Sequence, residues 1–496
     1  MVAGHRAEQC VRASAPGVFR VRGLATGSSS SSGSRAGAVR TAAVVAGGGE
    51  PGLEPVHGPA AGLEAFSRQE LLLFLKGVSR AGIRDRAVWN AYALRALSEV
   101  SSCTGEETCV MLRAFCRVGF AKRSLLNALS RKLRAEAHSL PPRLLAQALS
   151  DLRRLGHLDG PLLLQLAGGL RERLPGFDTF DLPLLLTAFA RASVRDEARV
   201  GEIGRALRLR TCSPEMTPSI AATSFYALAL LDCGADGTAA ALADSAVPRC
   251  LTESSPMELV NLAFALVVLD LPAGELLSYV LERIARQGAR LNGKEAHALR
   301  IVERCVLHPA ALRAEMRGSL AADAAAAARC EKALESITAA TEGTPEAACP
   351  VTSSKLQKHL ERFFERLDMP HESEGAVGPY MLDYVLPQQI AVEVDGFKHF
   401  YAFSRRLTAK SELKVRVLSA MGWRVVSLPH FEWMPRTSDD RLSYLAEQIE
   451  TAAGTPLATI RRQKIGGGAR GPPAWKRRSS AAAPPSRGAF PAGRRR

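Results

Sequence analysis

From about residue 63 to 335 apolar residues recur with a period near 3.6, and that helical pattern itself recurs every 34–40 residues. Proline and glycine fall between the apolar runs rather than inside them, and little in this stretch reads as strand. One helix type carries an aromatic or Leu followed by a small residue: Phe115-Cys116, Leu149-Ser150, Phe189-Ala190, Tyr226-Ala227 and Phe264-Ala265. FYALALLD (225–232) and AFALVVLD (263–270) are the best-matched pair. A second helix follows each first one, as in LLNALSRKLRAEA and GELLSYVLERIARQ. Such a hairpin cannot bury its apolar face alone. Each fully buried Leu or Phe is worth roughly 1.5–3 kcal/mol, and only stacking of neighbouring hairpins supplies that burial. The predicted architecture for 63–340 is therefore an α-solenoid, with the anchoring aromatics in its core.

Charge adds less than the net +16 implies, because of where it lies. Residues 1–49 hold six arginines against Glu8 alone, and residues 456–496 hold eleven Lys/Arg and no acid, so the two ends carry the whole surplus. The body between is formally neutral, and any polyanion-binding surface on it must come from local segregation. One such segment exists. Between Arg113 and Arg154 ten basic residues face only Glu136 and Asp151. Arg113, Arg117, Lys122, Arg123, Arg131, Lys132 and Arg134 are its candidate phosphate contacts. Several sit toward helix ends, where the helix dipole alone favours cations.

The N-terminal 49 residues are rich in Arg, Ala and Ser and nearly free of acid, the composition of a mitochondrial presequence, and they lack a secretory apolar core. The Pro/Gly/Ala/Arg-rich end from 456 is expected to be disordered, either gripping RNA phosphates or merely solvated. No apolar run is long enough to span a bilayer, so no membrane association is expected. Ten scattered cysteines form neither a CxxC pair nor a zinc-knuckle spacing, and read as reduced small hydrophobes.

After a linker at 341–352 the pattern changes. Residues 353–455 read α-β-β-β-α-β-α: an amphipathic helix at 353–368, a three-strand meander, a helix at 405–422 stopped by Gly422, the strand WRVVSLP and a last helix. Period two places Glu393 and Asp395 on one face of their strand, with Ile390, Val392 and Val394 on the other, and Asp383 on the preceding strand comes close. Three carboxylates so placed repel by about 4 kcal/mol per pair at 4 Å and an effective dielectric near 20. A divalent cation, a raised pKa, or Lys398, His399 or Lys414 must offset that. Aromatic and basic residues interleave just beyond, from Phe397 to Arg406. Lys398, His399, Tyr401, Arg405 and Arg406 are candidate RNA contacts there, and Phe397 and Phe400 candidate core caps.

The strings LDYVLPQQIAVEVDGFKHF and LKVRVLSAMGWRVVSLPHFEW, followed by a final helix, closely resemble the RAP domain, named for its abundance in apicomplexans; the resemblance covers about residues 378–450. The repeats look like the heptatricopeptide and octotricopeptide repeats of organellar RNA-binding proteins. RAP domains are in turn similar to the restriction-endonuclease-like PD-(D/E)XK fold, in its very-short-patch-repair-like branch. That similarity aligns Asp383, Glu393 and Asp395 with metal- or phosphate-adjacent carboxylates, Asp383 and Glu393 as ligands of a catalytic Mg²⁺, and His399 with a basic partner. The lysine usual in the E-x-K element is absent, since position 395 is Asp, and Lys414 is a possible substitute. The resemblance implies a mitochondrial matrix RNA-binding protein acting in RNA processing, ribosomal RNA stabilisation or ribosome assembly and translation, with RNA and mitochondrial ribosomal proteins as partners and no DNA. Two alternatives stand beside it: an integral subunit of the mitochondrial ribosome, and an Mg²⁺-dependent ribonuclease using Asp383, Glu393, Asp395 and Lys414.

Overall fold

The computed structural model describes residues 66–234, 237–271, 273–287, 291–307, 324–341 and 355–465. Residues 1–49, where a presequence is expected, nearly all of the linker and most of the basic tail lie outside the described residues.

The N-terminal helices form two stacked rows. In the first row Arg68–Arg80, Gly105–Val118, Pro142–Arg154, Leu182–Arg191, Pro218–Leu231 and Pro256–Leu269 pack successively on one another. Arg86–Glu99, Arg123–Ala135 and Gly160–Leu166 stack likewise in the second row. Local chemistry starts the first-row helices. Ser67, Thr104 and Ser255 each close a capping box with Glu70, Glu107 and Glu258, and Thr217 caps the helix that Pro218 opens.

Their ends are more uniform still. Phe120 N donates to Phe115 O, His157 N to Leu152 O, Val194 N to Phe189 O and Cys233 N to Leu228 O, each around one left-handed residue: Gly119, Gly156, Ser193 and Asp232. This closure satisfies the last carbonyls of each helix and turns the chain the same way every time. It also corrects the repeat register. Leu152, not Leu149, occupies the position of Phe115 and Phe189, so these anchors are evenly spaced. Phe115, Leu152 and Phe189 are fully buried, Phe264 is nearly so, and all four belong to one continuous core. Arginines tie turns across repeats: Arg173 donates to Ala137 O and Arg210 to Phe177 O.

The C-terminal unit is a four-stranded sheet in the order β1 (Glu372–Val377), β2 (Tyr380–Leu386), β3 (Ile390–Asp395), β4 (Arg424–Pro429). The first two pairings are antiparallel, and β3 and β4 run parallel, joined by a crossover through the Ala409–Ala420 helix. Lys355–Arg366 and Ser438–Ala453 cover one face, packing Phe363, Phe364, Leu445 and Ile449 against Ile390 and Val392. The crossover helix covers the other face through Leu418. This helix starts at Ala409, capped by Thr408, and not at 405. The folded unit also runs past the predicted boundary at 455, since Leu457 and Ile460 are buried in its core.

The two units are not beads on a string. Ala409, Leu413 and Val417 of the crossover helix lie in the core of the helical array, against Pro218–Leu231 and Pro256–Leu269. Among the described residues no helix is long and apolar enough to cross a membrane.

Replacing Phe189 by Ala is expected to cost about 3–5 kcal/mol, because a fully buried ring leaves a cavity between three stacked helices. Gly156→Ala is expected to cost about 1–2 kcal/mol from backbone strain alone, since φ is +68° and nothing crowds the new methyl. Urea denaturation of both variants measures the difference.

Candidate nucleic-acid interface

Asp383, Glu393, Asp395 and Lys414 do come together, on the face of the sheet beneath the crossover helix. Alternation along β3 sends Ala391, Glu393 and Asp395 one way and Ile390 and Val392 the other. Lys414 reaches down from the crossover helix and donates to Glu393 Oε2 (2.6 Å) and to Met381 O (3.0 Å). Asp383 accepts from Val394 N (2.7 Å) and from the Gln357 amide, while Ser427 donates to Asp395 and His399 Nδ1 lies 3.2 Å from Asp395 Oδ1. The repulsion expected from sequence is thus offset by protein donors from four separate elements.

Burial pushes the Glu393 carboxyl up to about 7, helped by Asp383 and opposed by Lys414. It also raises Asp383, against the pull of Val394 N–H and Lys414. The residues do not fit the Mg²⁺ expected at Asp383 and Glu393. Both Asp383 oxygens and Glu393 Oε2 are committed to protein donors, leaving Glu393 Oε1 as the buried oxygen without a partner. Among the described residues no group of three His, Cys, Asp or Glu side chains is disposed to hold a metal. A divalent ion requires several convergent, free oxygens, so no catalytic step is derived through one.

The basic-aromatic run divides. Tyr401 is a correction: it is buried, donating to Leu230 O (2.8 Å) and accepting from Ala409 N (3.1 Å), and it pins the sheet unit to the array. Arg406 pairs with Asp232 of the array in the same contact. Phe397 is 71% exposed and caps nothing, whereas Phe400 is buried as expected. Lys398 and Arg405 remain on the surface, Lys398 over the Phe397 ring and Arg405 over Phe431. Phe403, not singled out in the sequence, is 69% exposed beside the array, and its ring approaches Gly160 so closely that a Cβ there would meet it at 2.9 Å.

The basic segment of the array divides too. Arg113 pairs with the buried Asp151, Lys132 with Glu136, and Lys122 donates to Asn90. Arg123, Arg131 and Arg134 line one open cavity of about 630 Å³ with Asn127, His157 and Gln165. Arg117 stands apart from it at the end of a first-row helix.

With this geometry in view, residues 392–448 match the RAP domain. The chain carries a RAP domain. It spans β3, the crossover helix, β4 and most of the last long helix, so Glu393, Asp395 and Lys414 lie within it and Asp383 just before it. The chain is also similar to mouse (Mus musculus) FAST kinase domain-containing protein 5, mitochondrial, at 35% identity over 85 residues, which is 16% of this chain and 11% of that protein.

Glu393 makes stability depend on pH. Its folded pKa of about 7 exceeds the unfolded value, so the folded state holds an extra proton between about pH 4.5 and 7, and stability falls as pH rises through that window. Lys414→Met leaves a buried carboxylate uncompensated and is expected to cost about 3–5 kcal/mol at pH 8. The loss shrinks markedly at pH 5, where Glu393 is protonated. A cost independent of pH, measured by denaturant titration at both values, contradicts the assignment.

Proposed function

We propose that this protein binds RNA in mitochondria, acting in the processing or stabilisation of organellar transcripts, ribosomal RNA among them. The observation that carries the reading is a RAP domain packed into the core of an α-solenoid whose arginines line an open cavity. RNA-binding modules built from helical repeats read single-stranded segments, with one base per repeat in the best-understood cases. A mitochondrial location is supported by the similarity to a relative named as mitochondrial and by the cationic, acid-poor first 49 residues. Within the RAP domain Lys398, Arg405 and the exposed rings of Phe397 and Phe403 offer phosphate contacts and stacking surfaces. The acid cluster has a different part: held by its own donors, it fixes the crossover helix to the sheet.

Ultraviolet crosslinking in cells followed by sequencing is expected to recover mitochondrial transcripts; recovery of none, or of cytosolic RNA alone, removes the reading. The expected division of labour is also measurable. Phe403→Ala with Arg405→Ala weakens RNA affinity, with each lost stacking contact worth about 1–3 kcal/mol, while Glu393→Gln changes stability and leaves affinity as it was.

A further inference from the structure

Four consecutive first-row helices carry an arginine at the same place. Arg80, Arg117, Arg154 and Arg191 recur at intervals of 37 residues, each two positions before the left-handed residue that ends its helix: Gly82, Gly119, Gly156 and Ser193. The successive helices pack on one another, so equal positions before a left-handed residue, with the same closing hydrogen bond in the last three, bring the four side chains out along one edge of the row. All four are exposed, and none has a side-chain hydrogen bond or ion pair to any described residue. That distinguishes them from Arg113, Arg173, Arg195 and Arg210, which are spent on the array's own carboxylates and carbonyls.

Neighbouring rungs share open space. Arg154 and Arg191 line a cavity of about 500 Å³ together with Arg153 and the Gly156–Leu158 turn, which also borders the cavity of Arg123, Arg131 and Arg134. Arg153 Nε is buried there without a partner. Burial and the adjoining Arg191 and Arg154 charges push this guanidinium below its ordinary pKa. Three like charges around an open cavity are a cost that a bound anion relieves.

The series also ends in a telling place. In the next two repeats the equivalent positions are Leu230 and Val268, and the Leu230 carbonyl accepts from Tyr401 of the RAP domain. Just before that, Ser193 O, two residues beyond the last rung, accepts from Ala402 N. The charges stop where the RAP domain begins, beside the exposed Phe403 and Arg405. A favourable interaction of cations with helix C-termini accounts for arginine somewhere in each last turn. It does not account for one fixed position, nor for its loss at the docked repeats.

We infer that Arg80, Arg117, Arg154 and Arg191 form a rail for the phosphates of a single polynucleotide strand, one contact per repeat, which leads the strand onto the RAP domain. The inference rests on the RNA-binding reading above and adds the strand's path. First-row helices packed at the usual 8–10 Å separation place the rungs about 9 Å apart, within reach of long, mobile guanidinium side chains that bind phosphate in a forked geometry.

The test uses the full chain and a labelled single-stranded oligouridylate, titrated between about 50 and 200 mM KCl. Changing all four arginines to Gln is expected to make the slope of log K against log salt shallower by about 2.8, and each single change by about 0.7. Arg205→Gln with Arg286→Gln, exposed charges on the helices Glu197–Arg208 and Gly274–Gln287 outside the first row, is expected to leave the slope as it was. Because a rail of this kind grips phosphates alone, the same loss is expected on the deoxy oligonucleotide. Circular dichroism melting confirms that the variants fold. If the native chain binds and the fourfold variant keeps its slope, or if the control pair lowers it equally per charge, the rail is wrong and the RNA reading stands. If the loss is confined to RNA, the phosphate reading is wrong. If the native chain shows no salt-dependent binding, both fall.

Discussion

The crossover helix Ala409–Ala420 serves two hydrophobic cores at once, and the arrangement of the molecule follows from that. A helix in a right-handed crossover must cover the sheet it connects, and Leu418 does so. Its other buried positions, Ala409, Leu413 and Val417, are in turn covered by Pro218–Leu231 and Pro256–Leu269 of the array. Separating the units would expose that face, take the Leu230 carbonyl from the Tyr401 hydroxyl and take Asp232 from Arg406. A small sheet with a helix layer on either face is thereby joined to the side of a solenoid that itself continues through Gly274–Gln287, Gly293–Leu307 and Ala324–Thr341.

Periodicity made much of this legible. The repeat of helical hairpins, the three-strand meander, the β3 alternation that separates Glu393 and Asp395 from Ile390 and Val392, and the approach of Asp383 to them could all be read from spacing; that Lys414, rather than Lys398, reaches Glu393 could not. What spacing does not encode is which surface meets which. Tyr401, in a run of basic and aromatic residues, looked like an RNA contact and is a buried fastener. Phe397 looked like a core cap and stands in solvent. The first misreading has a plain origin: the residues that cover Tyr401 lie some 170 positions away in the chain. The repeat register failed for a different reason. Leu149 and Leu152 are both fully buried on the same helix, and only the hydrogen bond from His157 N to Leu152 O distinguishes the one that closes it.

The acid cluster illustrates how carboxylates gathered on one sheet face can be spent on structure. Gln357, Val394, Lys414 and Ser427 have taken most of their acceptor positions. A buried ion pair of this type is weak evidence for stability but strongly penalises the loss of either member. Glu393 and Lys414 therefore act as a register pin, setting where along the sheet the crossover helix sits, and through that helix where the sheet sits on the array.

The shared helix has a metric consequence. Since the crossover helix lies in the core of the array, the path from Arg80 through the turn at Ser193 to Phe403 has a set length. A ligand held at both ends must match that length, whatever its base sequence. For a strand held as inferred above, the protein would be a gauge as much as a grip, setting how many nucleotides separate the stretch along the helices from the stretch at the sheet.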